Sequence, residues 1–251
     1  MPVIIATLLM LAALVTRLQG ATLVDVSTTF GSFELKLYDT QTPLTVANFL
    51  YYVTNNLYDN TIIHRSVPGF VIQGGGFGLS GNSLNPVPTN APVENEPGIS
   101  NLRGTIAMAK VGGDPNSATS QWFINLGDNS TNLDNQNGGF TVFGEVVGSG
   151  MSVVDAIAAV PVYDASAYLG GTFSQLPLIN PSLTATNLVM INSMVVVPEP
   201  STYVLLGLGV FALVFGRRRF GTYCLLSPGN PSSSPSDGIR GEDGLASTRG
   251  R

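Results

Sequence analysis

The chain is short of cysteine, histidine and charge. Its 251 residues include one cysteine, one histidine and only 11% charged residues. The cysteine, Cys224, lies in a Ser/Pro/Gly-rich C-terminal stretch, so residues 21–197 offer no disulfide and no thiolate chemistry. With a single histidine, His64, nothing has zinc-ligand spacing, and no metal or cofactor is expected. Basic residues are scarce too: Lys36, Arg65, Arg103 and Lys110 face twelve acidic residues in 21–197, a net charge of −8. Such a body excludes nucleic acid as a partner, because neutralising phosphates needs clustered cations. The low charge, with 29 Gly and 16 Pro, favours turns and sheets over long salt-bridged helices.

The hydrophobic runs sit at the ends. Residues 2–15, PVIIATLLMLAALV, are uncharged and have the length of a signal-peptide core, with small residues at 20–21 for cleavage. No Lys or Arg precedes the run, and a buried N-terminal strand or helix is the competing reading. At the other end, VPEPSTYVLLGLGVFALVFGRRRF (197–220) has three parts: a Pro-Glu-Pro turn, an apolar run from Tyr203 to Phe215, and Arg217, Arg218 and Arg219. At about 1.5 Å per residue the run just approaches the hydrocarbon thickness of a bilayer. The arginines would stay cytoplasmic, leaving the body outside. This order of parts resembles the PEP-CTERM sorting signal of exported bacterial proteins. The resemblance implies recognition by an exosortase-type membrane protease. Residues 221–251 have the composition of a disordered tail.

The body reads as β-rich. In TLVDVSTTFGSFELKLYD (22–39), Phe33, Leu35 and Leu37 point one way and Glu34, Lys36 and Tyr38 the other, with TTFGS as the turn. Residues 42–56 have helical spacing, with Thr42 as a cap and Pro43 in the first turn. A strand interrupted by VPG occupies 62–75, and 79–101 reads as loop. Further strands are expected at 104–110, 121–126, 139–147 and 187–197, and a second helix at 151–160. Many short strands and two helices predict a closed β-barrel capped at its ends by the helices.

Within IIHRSVPGFVIQGG (62–75), His64 and Arg65 are neighbours on a strand and must face opposite ways. His64 among Ile62, Ile63 and Val67 suits a core residue better than a base. Arg65 cannot act as a base, but it carries a rigid fork of donors. With Phe70, Gln73, Gln121, Trp122 and Phe123 it would furnish a peptide-binding groove. The alternative is a structural arginine bonded to loop carbonyls among core aromatics. The glycines of GGGFG (74–78) lack the Gly-Lys-Ser/Thr ending and following helix of a phosphate loop, and read as backbone geometry.

HRSVPGFVIQGG (64–75), RGTIAMAK (103–110), NSATSQWFINLGDN (116–129) and FTVFGEVV (140–147) together resemble cyclophilin-type peptidyl-prolyl cis–trans isomerases, most of all the bacterial ones. The resemblance implies an eight-stranded antiparallel barrel closed by two helices, with the active groove on its outside. It makes Arg65 the catalytic arginine, Phe70 a wall of the proline pocket and Gln73 the amide that holds substrate backbone. Val71 takes a pocket position often held by Met. Ala109 and Gln121 match groove residues for the peptide before proline. Trp122 stands where a pocket Phe is usual, Phe123 at the pocket floor, and Leu133 at another pocket position. Two departures alter the rim: Asn132 replaces an aromatic residue, and Phe140 replaces His or Tyr.

The organisation expected is a signal peptide (1–20), an isomerase domain (21–197), a sorting signal with a transmembrane segment (198–220) and a tail (221–251). The function expected is isomerisation of X–Pro bonds in exported or envelope polypeptides. A non-catalytic proline-peptide-binding or scaffolding module is the alternative.

Overall fold

A computed structural model describes residues 21–198 apart from Asn82. The expected signal peptide, the apolar run 203–215 with its arginines, and the tail 221–251 lie outside the described residues. Among the described residues no helix is long and apolar enough to cross a membrane.

The chain opens with a hairpin. Strands β1 (Leu23–Thr28) and β2 (Gly31–Leu37) pair antiparallel, and on β2 Phe33, Leu35 and Leu37 are buried while Ser32, Glu34 and Lys36 face away from the core. Helix α1 (Pro43–Thr54) follows, burying Val46, Phe49, Tyr52 and Val53. The Thr42 hydroxyl does not cap this helix. Its first amides are instead taken by a carboxylate from a distant loop: Leu44 and Thr45 N–H donate to Glu96 at 3.2 and 2.8 Å. A carboxylate there also complements the positive end of the helix.

Residues 61–67 form two short strands, β3 (Thr61–Ile62) and β4 (Arg65–Val67), followed by β5 (Val71–Gly74). The stretch 79–101, expected as loop, begins within a hairpin of β6 (Phe77–Ser80) and β7 (Ser83–Pro86). Its apolar residues Phe77, Leu79 and Leu84 do alternate, but four-residue arms rich in Gly, Ser, Asn and Pro dilute the period. Strands β8 (Thr105–Met108), β9 (Trp122–Asn125) and β10 (Val142–Val147) form as expected, as does the helix over Met151–Ala158. A one-turn helix, α2 (Ser130–Leu133), precedes β10, which makes Met151–Ala158 α3.

Residues 161–188 build a small lobe. It contains a two-stranded sheet of β11 (Val162–Tyr163) and β12 (Leu176–Pro177), with the short helix α4 (Ser166–Leu169) between them. Strand β13 (Met190–Val197) closes the chain onto β1.

The architecture is mainly β with few helices. Where a closed barrel of eight strands is expected, eleven pair as one curled antiparallel sheet, in the order β4-β5-β9-β8-β10-β2-β1-β13-β3-β6-β7. Two features raise the number. The 61–67 segment breaks at Ile63–His64, so that β3 pairs with β13 and β4 with β5. The β6–β7 hairpin then extends the edge beyond β3. Three apolar clusters result. The main core lies between the sheet and helices α1 and α3, around Phe49, Tyr58, Trp122 and Phe143. A second, around Ile62, Phe173 and Leu176, holds the 161–188 lobe against β6 and β7. The third, of Val71, Ala107, Phe123, Leu133 and Val142, lies on the opposite face of β5, β8 and β9 and floors the site.

Candidate active site

Strand parity sorts the residues of the site. On β9, Trp122 and Ile124 point into the main core and Phe123 turns the other way, as does Gln121 just before the strand. On β5, Ile72 is core while Val71 and Gln73 face out with Phe123. Pairing of β4 with β5 sets Arg65 opposite Gln73, and pairing of β5 with β9 sets Gln73 opposite Phe123. Three adjacent strands thereby bring Arg65, Gln73 and Phe123 onto one face.

These residues open onto a cavity of about 230 Å³ lined by Arg65, Phe70, Val71, Gln73, Ala109, Lys110, Phe123, Leu133, Gln136 and Phe140. Phe123 and Phe140 meet edge to face at 5.7 Å. A second hollow of about 130 Å³ shares Gln73, Ala109 and Lys110 and adds Val111, Ser117, Thr119 and Gln121. The two form an apolar pocket continuing into a polar shelf. Seven of the expected site residues, Arg65, Phe70, Val71, Gln73, Ala109, Phe123 and Leu133, border the pocket, and Gln121 lies on the shelf.

Trp122 does not belong with them. It is fully buried in the main core, on the opposite side of β9 from Phe123. Its indole fits there because glycines flank it: a Cβ on Gly75 would lie 2.8 Å from Trp122 Nε1 and 2.6 Å from Ser120 O. Close packing is thus one reason for the triple glycine. Asn132 is exposed and lines neither hollow.

Arg65 is held by neutral amides. Its Nε–H donates to Gln175 Oε1 at 2.9 Å, and Nη1 donates to Gln73 Oε1 at 3.4 Å. Gln73 Nε2 in turn donates to Gln121 Oε1 at 2.9 Å. No carboxylate pairs with Arg65 among the described residues, whereas Lys36 pairs with Glu145 and Arg103 with Asp155. The guanidinium is half-buried, and burial lowers its pKa from the ordinary arginine value. Arginine titrates so high that it remains a cation.

Lys110, the other cation of the pocket, is spoken for. Its Nζ donates to Asn95 Oδ1, Asn137 O and Gly139 O, and lies 4.8 Å from the Phe140 ring centre. It therefore fastens the 137–140 rim. A lysine ending an apolar strand in an acidic body was the available signal for it. Gln136 carried none.

A buried amide ladder supports the other walls. Asn129 Nδ2 donates to Phe70 O (2.9 Å) and Asn125 Oδ1 (2.7 Å). Asn125 Nδ2 donates to Thr105 Oγ1 (2.9 Å) and Asn101 Oδ1 (3.3 Å), and Asn101 Nδ2 to Asp134 Oδ1 (2.9 Å) and Phe140 O (3.2 Å). Phe70, the Leu133–Asp134 turn and Phe140 are thus tied into one network.

His64 faces away from all of this. It is fully buried, edge to face with Phe77 at 5.2 Å, and neither ring nitrogen has a protein partner. Burial, followed by the Arg65 charge, lowers its pKa to about 4. It is neutral at neutral pH, and the Gln121 amide of the shelf only partly opposes the lowering. Among the described residues no group of three or more His, Cys, Asp or Glu could hold a metal ion.

Comparison with known proteins agrees with this arrangement. The pattern "Cyclophilin type peptidyl-prolyl cis-trans isomerase/CLD" matches residues 23–170, and the "PEP-CTERM protein-sorting motif" matches 196–219. A peptidyl-prolyl cis-trans isomerase of Acinetobacter baylyi is 46% identical over 143 residues, covering 56% of this chain and 73% of that protein. Peptidyl-prolyl cis-trans isomerase A of Dickeya dadantii is 44% identical over 152 residues, 59% of this chain and 77% of that one. Isomerase B of Escherichia coli is 43% identical over 144 residues, 55% and 85% of the two chains. The crystal structure of a Cryptosporidium parvum cyclophilin-type isomerase shares the fold, with a TM-score of 0.52 at 24% identity over 72% of this chain and 99% of that one. The chain belongs to the cyclophilin-type peptidyl-prolyl cis–trans isomerases and carries a PEP-CTERM sorting motif at its C-terminal side.

Proposed function

We propose that the chain catalyses X–Pro isomerisation in exported or envelope polypeptides, with Arg65 as its catalytic residue. The observation that carries this reading is a single one: an arginine with no carboxylate partner among the described residues, steadied by amides at the mouth of an apolar pocket.

The chemistry follows from the amide. Resonance gives the X–Pro bond partial double-bond character and a barrier of about 18–20 kcal/mol. Twisting breaks the resonance and leaves a lone pair on the proline nitrogen. A donor aimed at that nitrogen stabilises the twisted state and not the planar one, so it lowers the barrier. Two of Arg65's N–H groups are engaged by glutamines, and the others are available for that task. Phe70, Val71, Phe123 and Leu133 would hold the proline ring. Gln73 would bind substrate backbone, and Ala109 and Gln121 the residues before proline. Trp122 has no part in it. Each ~1.4 kcal/mol of differential stabilisation is worth about tenfold in rate. An isomerisation assay on a proline peptide, with Arg65→Ala beside the wild type, tests the assignment. Wild type at the uncatalysed rate supports the binding-module alternative; an equally fast variant removes Arg65 from the mechanism.

Export rests on the PEP-CTERM motif together with the apolar 2–15 run. The 203–215 segment would anchor the chain in the membrane, with Arg217, Arg218 and Arg219 cytoplasmic, until an exosortase-type protease acts. Intact mass of the protein recovered from envelope and medium checks both ends. A full-length chain confined to the cytoplasm overturns export.

The sheet also supports closure into an eight-stranded barrel. β3 and β4 are consecutive pieces of one segment, and counting them together leaves eight strands between β4 and β13. Ile63 N–H donates to Val189 O (3.0 Å) and His64 N–H to Gln73 O (3.1 Å), bridging the break from both sides. A closed barrel protects both amides from hydrogen exchange; fast exchange at either speaks for an open seam.

A further inference from the structure

Gln175 lies outside the residues that match the isomerase pattern and belongs to the 161–188 lobe. We propose that Gln175 is a positioning residue for Arg65, and that the lobe serves the site by presenting it. The inference rests on the assignment of Arg65 as catalytic residue.

The lobe grips the Arg65 strand twice through one residue. Gln175 O accepts from Ser66 N–H at 2.9 Å, and Gln175 Oε1 accepts from Arg65 Nε–H at 2.9 Å. The backbone of Gln175 is not free to drift. Phe173 and Leu176, on either side, are buried against Ile62. Ala165 N–H donates to Phe173 O, and Leu176 pairs with Tyr163 across β11–β12. A rigid support on one side and the Gln73–Gln121 pair on the other leave the guanidinium plane little freedom.

The acceptor is also neutral. A guanidinium that donates Nε–H to an amide oxygen is oriented without being charge-compensated. Its full positive charge then remains for the lone pair that develops on the proline nitrogen. A carboxylate in the same place would orient it as well but would share that charge. Because Nε is not one of the terminal nitrogens, Gln175 engages neither Nη atom.

The test is a double-mutant cycle on the full chain in detergent: wild type, Arg65→Ala, Gln175→Leu and the double variant, with kcat and KM for a proline peptide. Gln175→Leu is expected to lower kcat about tenfold, with KM within about twofold of wild type, since the lost bond acts on the twisted state. In the Arg65→Ala background the same change is expected to cost nothing further. Gln175→Glu, which keeps an acceptor, is expected to recover part of the loss. An equal loss in both backgrounds, or none in the wild-type background, overturns the positioning role while leaving the isomerase reading intact. A wild type without activity overturns that reading instead. Arg65 Nε–H is then the deciding readout, as it also is where Gln175→Leu fails to fold. A slowly exchanging Nε–H proton resonance in the wild type supports the bond, and loss of that resonance to solvent exchange at neutral pH overturns it.

Discussion

His64 and Arg65 are adjacent on one segment, yet their side chains meet different worlds. The imidazole is fully buried beside Phe77, and the guanidinium opens onto the cavity with its Nε 2.9 Å from Gln175. One residue contributes to stability and its pH dependence, the other to the site.

For His64 the sign is set by burial. Its pKa falls from an ordinary 6.5 to about 4 in the folded chain. Above pH 6.5 both states are neutral there, and stability is complete. Between 6.5 and 4 the unfolded chain takes up a proton that the folded chain refuses. Stability therefore falls, by roughly 3 kcal/mol over the whole window. Urea unfolding at pH 7, 6 and 5 is expected to show this decline, and His64→Leu to flatten it. Parallel declines in the two proteins would mean that His64 titrates normally.

Arg65→Lys is expected to lose about a hundredfold in kcat/KM, close to Arg65→Ala. Lysine keeps the charge but has no planar fork to span Gln175, Gln73 and a substrate nitrogen. Recovery of most of the activity by lysine would show that charge alone suffices.

Trp122 is the only tryptophan in the chain, and it lies behind the sheet. Its fluorescence is expected to be blue-shifted in the folded protein and to move to the red on unfolding. Saturating proline peptide is expected to leave it unchanged. A peptide-dependent change in intensity would return Trp122 to the groove.

Gly75→Ala is expected to destabilise by about 2–4 kcal/mol, because a left-handed backbone (φ +76°) and a Cβ 2.6 Å from Ser120 O act together. Gly148→Ala, with φ +61° and nothing within 4 Å of the added carbon, is expected to cost only about 1 kcal/mol. Equal costs in chemical denaturation would make the contact irrelevant.

Asn125→Ala breaks the buried amide ladder in the middle. It leaves Asn129 and Asn101 with unmatched groups, at about 2–3 kcal/mol. Because the ladder ends on Phe70 O and Phe140 O, KM for a proline peptide is expected to rise with it. A stable variant with unchanged KM would detach the ladder from the pocket.

Much of this is legible in the sequence, and the failures have two causes, strand parity and distance along the chain. Phe33, Leu35 and Leu37 announced their strand by period two, and Val46, Phe49 and Val53 their helix by helical spacing. These are local signals. Arg65, Phe70 and Gln73 lay within one short motif, so their convergence could be inferred. Aromatic character and the family resemblance both place Trp122 in the groove, although Phe123 beside it claims that face and neighbours on a strand cannot share one. Glu96 at the α1 N-terminus and Gln175 at Arg65 were out of reach. They act across 51 and 110 residues, and no periodicity reports a partner that far away.

The cavity walls bear hydrocarbon, aromatic rings, amides and two cations, and no carboxylate. The nearest imidazole is sealed behind the strand. Arg65 stays a cation throughout, and burial lowers the pKa of Lys110, the other cation there. Acid reaches the protein through His64, whose protonation would set a second charge beside Arg65. A site without carboxylates would suit the exported setting that the sorting motif suggests.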